Sequence, residues 1–322
     1  MAKKSDIATL KEKFKGKIIM GTDIKPQEWL ETGIDSFDIL AKGFPFGKII
    51  ELYGRESSGK SWLSYQLIKK AQSKGLQCVI VDAEKSFDAN WVGKLGVDLE
   101  NVYVYQPING EDGVDYITEC LKKNLFHLII IDSIDALSPK KEKEDSAEDA
   151  QMAIKARIIN KAMRIWNSLL SSTELSPEPL ILCINQLRDT MALYGDRETT
   201  PGGRGLKYYA GMRIELRKKK RYKDKGYQEV HFSIEKSKVG APLKEGEFNL
   251  FIMDGVQPAG TFNDKERIIE LAQLKNIISD GSWIYYDEQK FHGKSEFLEY
   301  VESNPDIYKN FIDKVKKAYA GQ

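Results

Sequence analysis

One stretch limits what this chain can fold into more than any other. Gly54-Arg55-Glu56-Ser57-Ser58-Gly59-Lys60-Ser61 satisfies the phosphate-binding pattern G-x-x-x-x-G-K-[ST] at every fixed position. Ile49-Ile50-Glu51-Leu52-Tyr53 reads as a short apolar strand entering it, and the run from Trp62 to Ala71 reads as the helix leaving it. A triphosphate needs this arrangement. The glycines let backbone N–H groups close round the phosphates with no side chain in the way, and the helix N-terminus adds partial positive charge. Lys60 can reach the β- and γ-phosphates, and the Ser61 hydroxyl can hold Mg²⁺. The bland alternative is a glycine turn followed by a chance Lys-Ser. Strand, loop and helix together argue against it.

The rest of the chain fits a core built round that loop. Its 322 residues suffice for a large α/β core with something appended. Apolar runs suited to buried parallel strands recur at Cys78–Val81, Val102–Tyr105, Leu128–Ile131 and Leu180–Ile184. Helical segments alternate with them, at Gly113–Lys123 and Ala150–Ser171, which predicts a doubly wound α/β sheet. Met212–Leu216 and Val230–Ile234 flank a polar stretch and read as an antiparallel hairpin. Near the start, Ser5–Lys15 has helical spacing, and Lys17–Met20 reads either as a lone strand that should join a sheet edge in its own chain or a neighbour's, or as a frayed terminus. From about Gly255 two helical stretches surround a short Trp283–Tyr286 strand, read as a separate small domain. The expected division is therefore 1–46, an N-terminal arm and linker; 47–254, the core; and 255–322, the C-terminal domain.

Charge narrows the field little. With 49 basic and 48 acidic residues, any basic surface must be local. Cys78, Cys120 and Cys183 lack metal-type spacing and read as buried thiols of a reducing cytosol. No apolar run reaches membrane-spanning length and no signal-peptide pattern opens the chain, so a cytoplasmic protein is expected.

Ligands of open parallel sheets sit at the carboxyl ends of the strands, so polar residues there are the candidates for chemistry. Asp132 ends an apolar strand, where Mg²⁺ would compensate its charge; capping a following helix is the alternative. Glu84 follows the strand ending at Asp82 and can orient an attacking water, or can be a plain surface carboxylate. Gln186 can bond a γ-phosphate or cap its strand. Leu187–Gly205 then runs polar and glycine-rich, with Arg188, Arg197 and Arg204: a loop for nucleotide-coupled ordering, for a polyanion, or for solvent alone.

These residues resemble the RecA-type recombinase family over nearly the whole chain. The resemblance is carried by Gly54–Ser61, Val81-Asp82-Ala83-Glu84, Lys94–Asp98, Ile131-Asp132-Ser133, Ile184–Arg188 and Glu198–Gly203. Phe14–Met20, Trp283, Gly293-Lys294 and Asn304-Pro305 fit as well. It implies a RecA-like P-loop ATPase core with an N-terminal helix-strand arm and a small α+β C-terminal domain. It also implies an ATP- and Mg²⁺-dependent helical filament on single-stranded DNA that exchanges strands with a homologous duplex. A single-strand-binding protein and a loading mediator would be accessory partners, and no membrane is involved.

By position, the resemblance makes Glu84 the catalytic carboxylate, Asp132 the Mg²⁺-associated acid with Ser61, and Gln186 the nucleotide sensor. Trp62, Asp88 and Trp91 join Gly54–Ser61 around ATP, with Trp91 where a tyrosine usually stacks on adenine. Asp145–Met152 would be the first DNA loop and Leu187–Gly205 the second, with Met152, Arg157, Arg164, Arg188, Gly202, Gly203 and Arg204 meeting DNA. Tyr208 would stand at a helix start linking loop to interface, Lys17–Met20 would pair with a neighbouring subunit, and Lys294 would meet duplex DNA. Lys236 and Lys238, two apart on a strand and so on one side, would reach the neighbour's ATP; periodicity alone prefers a solvated strand end.

The sequence departs from the pattern in places. Arg55 replaces the usual proline, the first loop carries Asp145, Glu148 and Asp149 in place of glycines, and Arg204 replaces an asparagine. The departures and the length raise the expectation of a bacteriophage-encoded member, acting in the host cytoplasm. Two rival functions share the fold: a DNA-coating filament using ATP only as an assembly switch, and a hexameric helicase or loader. A pure switch has no use for Glu84, and the N-terminal strand and C-terminal domain argue against the ring.

Overall fold

Two-residue alternation along the apolar runs organises the molecule. The computed structural model describes residues 4–14, 18, 20–140, 148–189 and 198–320. Its central sheet has nine strands: β1 (Ile49–Gly54), β2 (Cys78–Asp82), β3 (Val102–Tyr105), β4 (Leu128–Asp132), β5 (Leu180–Gln186), β6 (Met212–Tyr222), β7 (Tyr227–Ser237), β8 (Glu245–Phe251) and β9 (Phe262–Asn263). Their spatial order is β9-β8-β7-β6-β1-β5-β4-β2-β3. Strands β6 to β3 in that order pair in parallel, and β7, β8 and β9 continue the sheet antiparallel.

Odd and even residues of the parallel strands feed two cores. Ile80, Ile130, Leu182 and Ile184 pack on one face with Leu63, Leu67 and Ile68 of α3 (Lys60–Ser73). Val79, Val81, Ile129, Ile131, Ile181 and Cys183 pack on the other, against α5 (Gly110–Lys122) and α6 (Glu148–Leu170). Each such fully buried aliphatic side chain stabilises by about 1.5–3 kcal/mol. On α6, Ile159, Met163, Trp166 and Leu170 keep helical spacing and face inward, and Trp166 donates its indole N–H to Thr118 Oγ1 at 3.0 Å. The predicted doubly wound α/β sheet is what forms. All three cysteines are free and buried.

Two local expectations change, and one alternative falls away. Val102–Tyr105 is parallel, as predicted, but is the outermost strand, with Tyr103 and Val104 exposed; a short apolar run fits an edge as well as a centre. The hairpin strands run to Tyr222 and from Tyr227, because the polar stretch between them continues the ladder. Asp132 caps no helix, since the chain after it makes a turn and its carboxylate is engaged elsewhere.

Near the start, α1 (Lys4–Lys13) forms, and α2 (Asp35–Ala41) buries Phe37 and Leu40 in the first core. Residues Lys17 and Ile19 of the expected N-terminal strand lie outside the described residues. After the sheet come α8 (Lys265–Leu274), a hairpin of β10 (Trp283–Tyr286) and β11 (Gln289–His292), α9 (Gly293–Glu302) and α10 (Pro305–Ala320). This end meets the chain around α2: Tyr308 donates to Asp35 at 3.1 Å, Lys316 pairs with Glu31 at 2.9 Å, and the Ser36 N–H donates to Asp264 at 2.7 Å. The helix α4 (Ala89–Lys94) follows β2, and α7 (Gly203–Tyr209) leads into β6. Among the described residues no helix is long and apolar enough to cross a membrane.

Candidate nucleotide site and its flanking loops

The sheet brings its polar strand ends to one place, and β1 is its pivot. Gly54 closes β1 opposite Gln186 of β5, and the Leu187 N–H donates to the Gly54 carbonyl at 3.2 Å. The two loop glycines are needed for different reasons. A Cβ on Gly54 would stand 2.1 Å from the Leu216 carbonyl, so β6 could not approach. Gly59 has room for a side chain but sits at φ +95°, which L residues rarely adopt, just ahead of α3.

Lys60 folds over the loop, donating to the Gly54 and Arg55 carbonyls at 2.9 Å each. Burial pulls its pKa down, against the upward pull of Asp132, Glu84 and Glu56. Ser61 donates to Asp132 Oδ2 at 2.8 Å. Burial pushes the Asp132 carboxyl up to about 6; the Ser61 bond lowers it, while Glu84 and Asp82 raise it further. Glu84 is exposed, and its Oε1 accepts from Ser133 Oγ at 2.5 Å and from Gln186 Nε2 at 3.5 Å. The five residues singled out from the strand ends and the phosphate loop thus share one site: Lys60, Ser61, Glu84, Asp132 and Gln186.

The outer cofactor candidates flank it. Asp88 caps α4 by accepting the Trp91 N–H at 3.0 Å. Trp91 is 38% exposed and lies against Gly260. Trp62 is different: its indole is buried between Phe248 and Phe262 and donates to the Gly260 carbonyl at 2.8 Å, leaving only its backbone N–H for a ligand. Glu56, Ser57 and Ser58 line the loop; Ser57 takes φ +59°, and the buried Ser58 hydroxyl has no partner among the described residues.

The second loop is less open than its composition predicts. Arg188–Asp189 pairs with Glu198–Thr199, and α7 begins at Gly203; residues 190–197, including Arg197, lie outside the described residues. Gly202 and Gly203 take φ +95° and +74°, and a Cβ on Gly205 would collide with Asn160 of α6. These glycines let α7 lie on α6. Arg188 is ion-paired with Asp135, and Arg204 is exposed. Residues 141–147 of the first loop lie outside the described residues, and its end, including Met152, is already helix α6. Arg157 and Arg164 stand exposed on α6 seven residues apart, on one face. Lys294 is exposed on α9.

Lys236 and Lys238 do project together. Lys236 donates to the Lys207 and Tyr208 carbonyls at 2.6 and 2.9 Å, and Lys238 to the Tyr208 carbonyl at 3.1 Å, at the electronegative end of α7. Burial, then the charges of Lys238 and Arg213, lowers the Lys236 pKa. Tyr208 is in the last turn of α7 rather than at a helix start, and is 71% exposed.

Several engaged side chains were not singled out from the sequence. Asp82 accepts the Ser86 and Phe87 N–H groups and the Gln106 amide, shaping the approach to α4. Glu51, fully buried in β1, is held by Arg213 and by Asn185 Nδ2 at 2.9 Å, and Asn185 also donates to the Pro201 carbonyl. A carboxylate inside an apolar run was the available signal for Glu51; nothing local marks Arg213 as its partner.

A glycine loop between a parallel strand and a helix, with carboxylates ending the neighbouring strands, defines a phosphate-loop nucleotide-binding core of the RecA-like α/β class. Residues 4–257 match the RecA N-terminal domain. The chain is 36% identical over 270 residues to Protein RecA of Mesoplasma florum, covering 82% of this chain and 78% of that protein. It is 34% identical over 298 residues to Protein RecA of Wigglesworthia glossinidia brevipalpis, covering 90% and 87%. With Protein RecA of Porphyromonas gingivalis the identity is 34% over 282 residues, covering 86% and 80%. The chain belongs to the RecA family.

Proposed function

We propose that this protein is an ATP-dependent DNA recombinase that forms helical filaments on single-stranded DNA, pairs it with a homologous duplex and exchanges strands. The observation that carries this is the exposed Glu84 held beside Gln186 and Ser133, facing the Lys60–Ser61–Asp132 cluster. An assembly switch would need the cluster but not the activating carboxylate.

Mg²⁺ suits the donors present. Among the described residues no group of three or more His, Cys, Asp or Glu could hold a metal by itself. Mg²⁺ takes one or two protein oxygens and completes its shell with phosphates and water, which matches the Ser61–Asp132 pair. Those two residues would hold it, and its charge would offset that of the β- and γ-phosphates.

The lysine pair belongs to a neighbour's site on this reading. Lys236 pairs with Arg213, which pairs with Glu51, three residues before Gly54. That is about 10 Å back along β1 from the phosphate loop. A head-to-tail assembly would bring it to the next subunit's γ-phosphate, and a contact that does not close produces a helix. Arg157, Arg164, Arg188 and Arg204, with the second loop, would face DNA, and Lys294 in the 255–322 domain would meet duplex. Electron microscopy of the protein with ATP and single-stranded DNA tests the assembly: helical filaments are expected, and closed rings would refute it.

DNA affinity is expected to be nearly independent of sequence and to fall steeply with salt, because arginines on phosphates release counterions. Arg188→Ala and Arg204→Ala should each weaken binding and reduce the slope of log affinity against log salt by about one. Titrations between 50 and 200 mM salt, about the range over which such contacts lose most affinity, check this; a flat response would contradict it.

A further inference from the structure

The neck of the second loop carries a charge arrangement beyond the family motif. In the two-residue ladder, Asp189 stands directly opposite Glu198. Opposed carboxylates on a ladder repel. Arg55 resolves the conflict: its guanidinium meets Asp189 at 2.5 Å, and its Nε donates to Glu198 at 2.8 Å. Arg55 occupies the second place of the phosphate loop, where proline is usual in the family resemblance drawn above. Glu198 is shared with Arg217 at 3.8 Å, and Arg217 is held by Glu215 at 2.6 Å. Strand alternation sends the adjacent Arg188 the other way, onto Asp135, which also takes Lys155 of α6 at 2.9 Å. One dipeptide is therefore tied to the phosphate loop on one side and, on the other, to the helix that follows the first loop.

We infer that Asp189, with Glu198, is a positioning residue that couples the phosphate loop to the neck of the DNA loop through Arg55. The inference rests on the function proposed above and adds the regulation of its nucleotide site. The neck closes with a cation between its carboxylates, and that cation belongs to the loop that wraps the phosphates. Nucleotide that shifts the phosphate loop shifts the guanidinium and the neck with it. DNA phosphates that draw Arg188 from Asp135 move Asp189 through the same short segment, and coupling between two binding sites is reciprocal. An isolated exposed pair would transmit little; sharing among Arg55, Asp189, Glu198, Arg217 and Glu215 is what strengthens the link.

The test uses full-length protein and a fluorescent oligothymidine strand, titrated with and without Mg²⁺ and ATP at fixed salt. In Asp189→Asn the ATP-induced gain in strand affinity should fall by about two- to fivefold. Glu198→Gln should reduce the gain likewise, and Asp189→Glu should restore it. A gain in Asp189→Asn equal to wild type would overturn the clamp and leave the proposed function standing. So would a change in strand affinity of equal size with and without ATP, which marks a simple charge effect on DNA. A wild-type protein whose strand affinity ignores ATP would overturn the underlying function, and the clamp with it.

Discussion

Lys60→Ala is expected to abolish productive ATP binding and, with it, every ATP-dependent activity. Lys60 is the buried cation of the phosphate loop, and its ammonium lies over that loop, bonded to two carbonyls at 2.9 Å. A bound triphosphate would draw that ammonium to its β- and γ-oxygens. Contacts to charged groups are worth about 1.5–3 kcal/mol each, so losing two of them costs roughly 10²–10⁴-fold in affinity. Calorimetric titration with ATP and Mg²⁺ reads the loss directly, and circular dichroism verifies that the sheet has formed. Turnover equal to wild type would remove this loop from the site.

Glu84→Gln is expected to separate binding from hydrolysis. The amide keeps an oxygen to accept from Ser133 and Gln186, so the local bonds survive. On the proposed function, the acceptor for a proton of the attacking water would be lost, and removing such assistance typically slows the reaction by roughly 10²–10⁴-fold. ATP affinity and DNA-bound assemblies should persist, with phosphate release measured under single-turnover conditions falling by that factor. A rate within a few-fold of wild type would assign the water to another group.

The site's chemistry was more legible than its couplings. The phosphate loop, Asp132, Glu84 and Gln186 could be read because each ends or follows an apolar run, and the topology of a parallel sheet collects such ends. The buried Glu51–Arg213 and Glu51–Asn185 contacts could not, since their partners lie 162 and 134 residues apart. The same holds for Arg55 with Asp189 and Glu198, 134 and 143 residues away. The motif marks Gly54 as space for phosphates, and the fold shows that it also makes room for β6, as Gly203 and Gly205 of the second loop do for α6. Composition marked Leu187–Gly205 as one long loop, because a two-residue ladder and a seven-residue helix leave almost no periodicity. Trp62 illustrates the converse: its place beside the motif marked it for ATP, and its ring is spent in the core.

The central claim is that one ATP is served by two subunits, with Glu84 and Lys60 from one and Lys236 and Lys238 from the next. Mixing tests it most directly. Glu84→Gln protein and a Lys236→Ala, Lys238→Ala double variant are each expected to bind ATP and single-stranded DNA yet turn over poorly alone. In co-assembled mixtures, interfaces pairing an intact Glu84 with intact lysines should recover DNA-dependent ATPase activity, greatest near equal proportions. Mixtures that co-assemble but stay as inactive as their parents at every ratio would contradict the shared site.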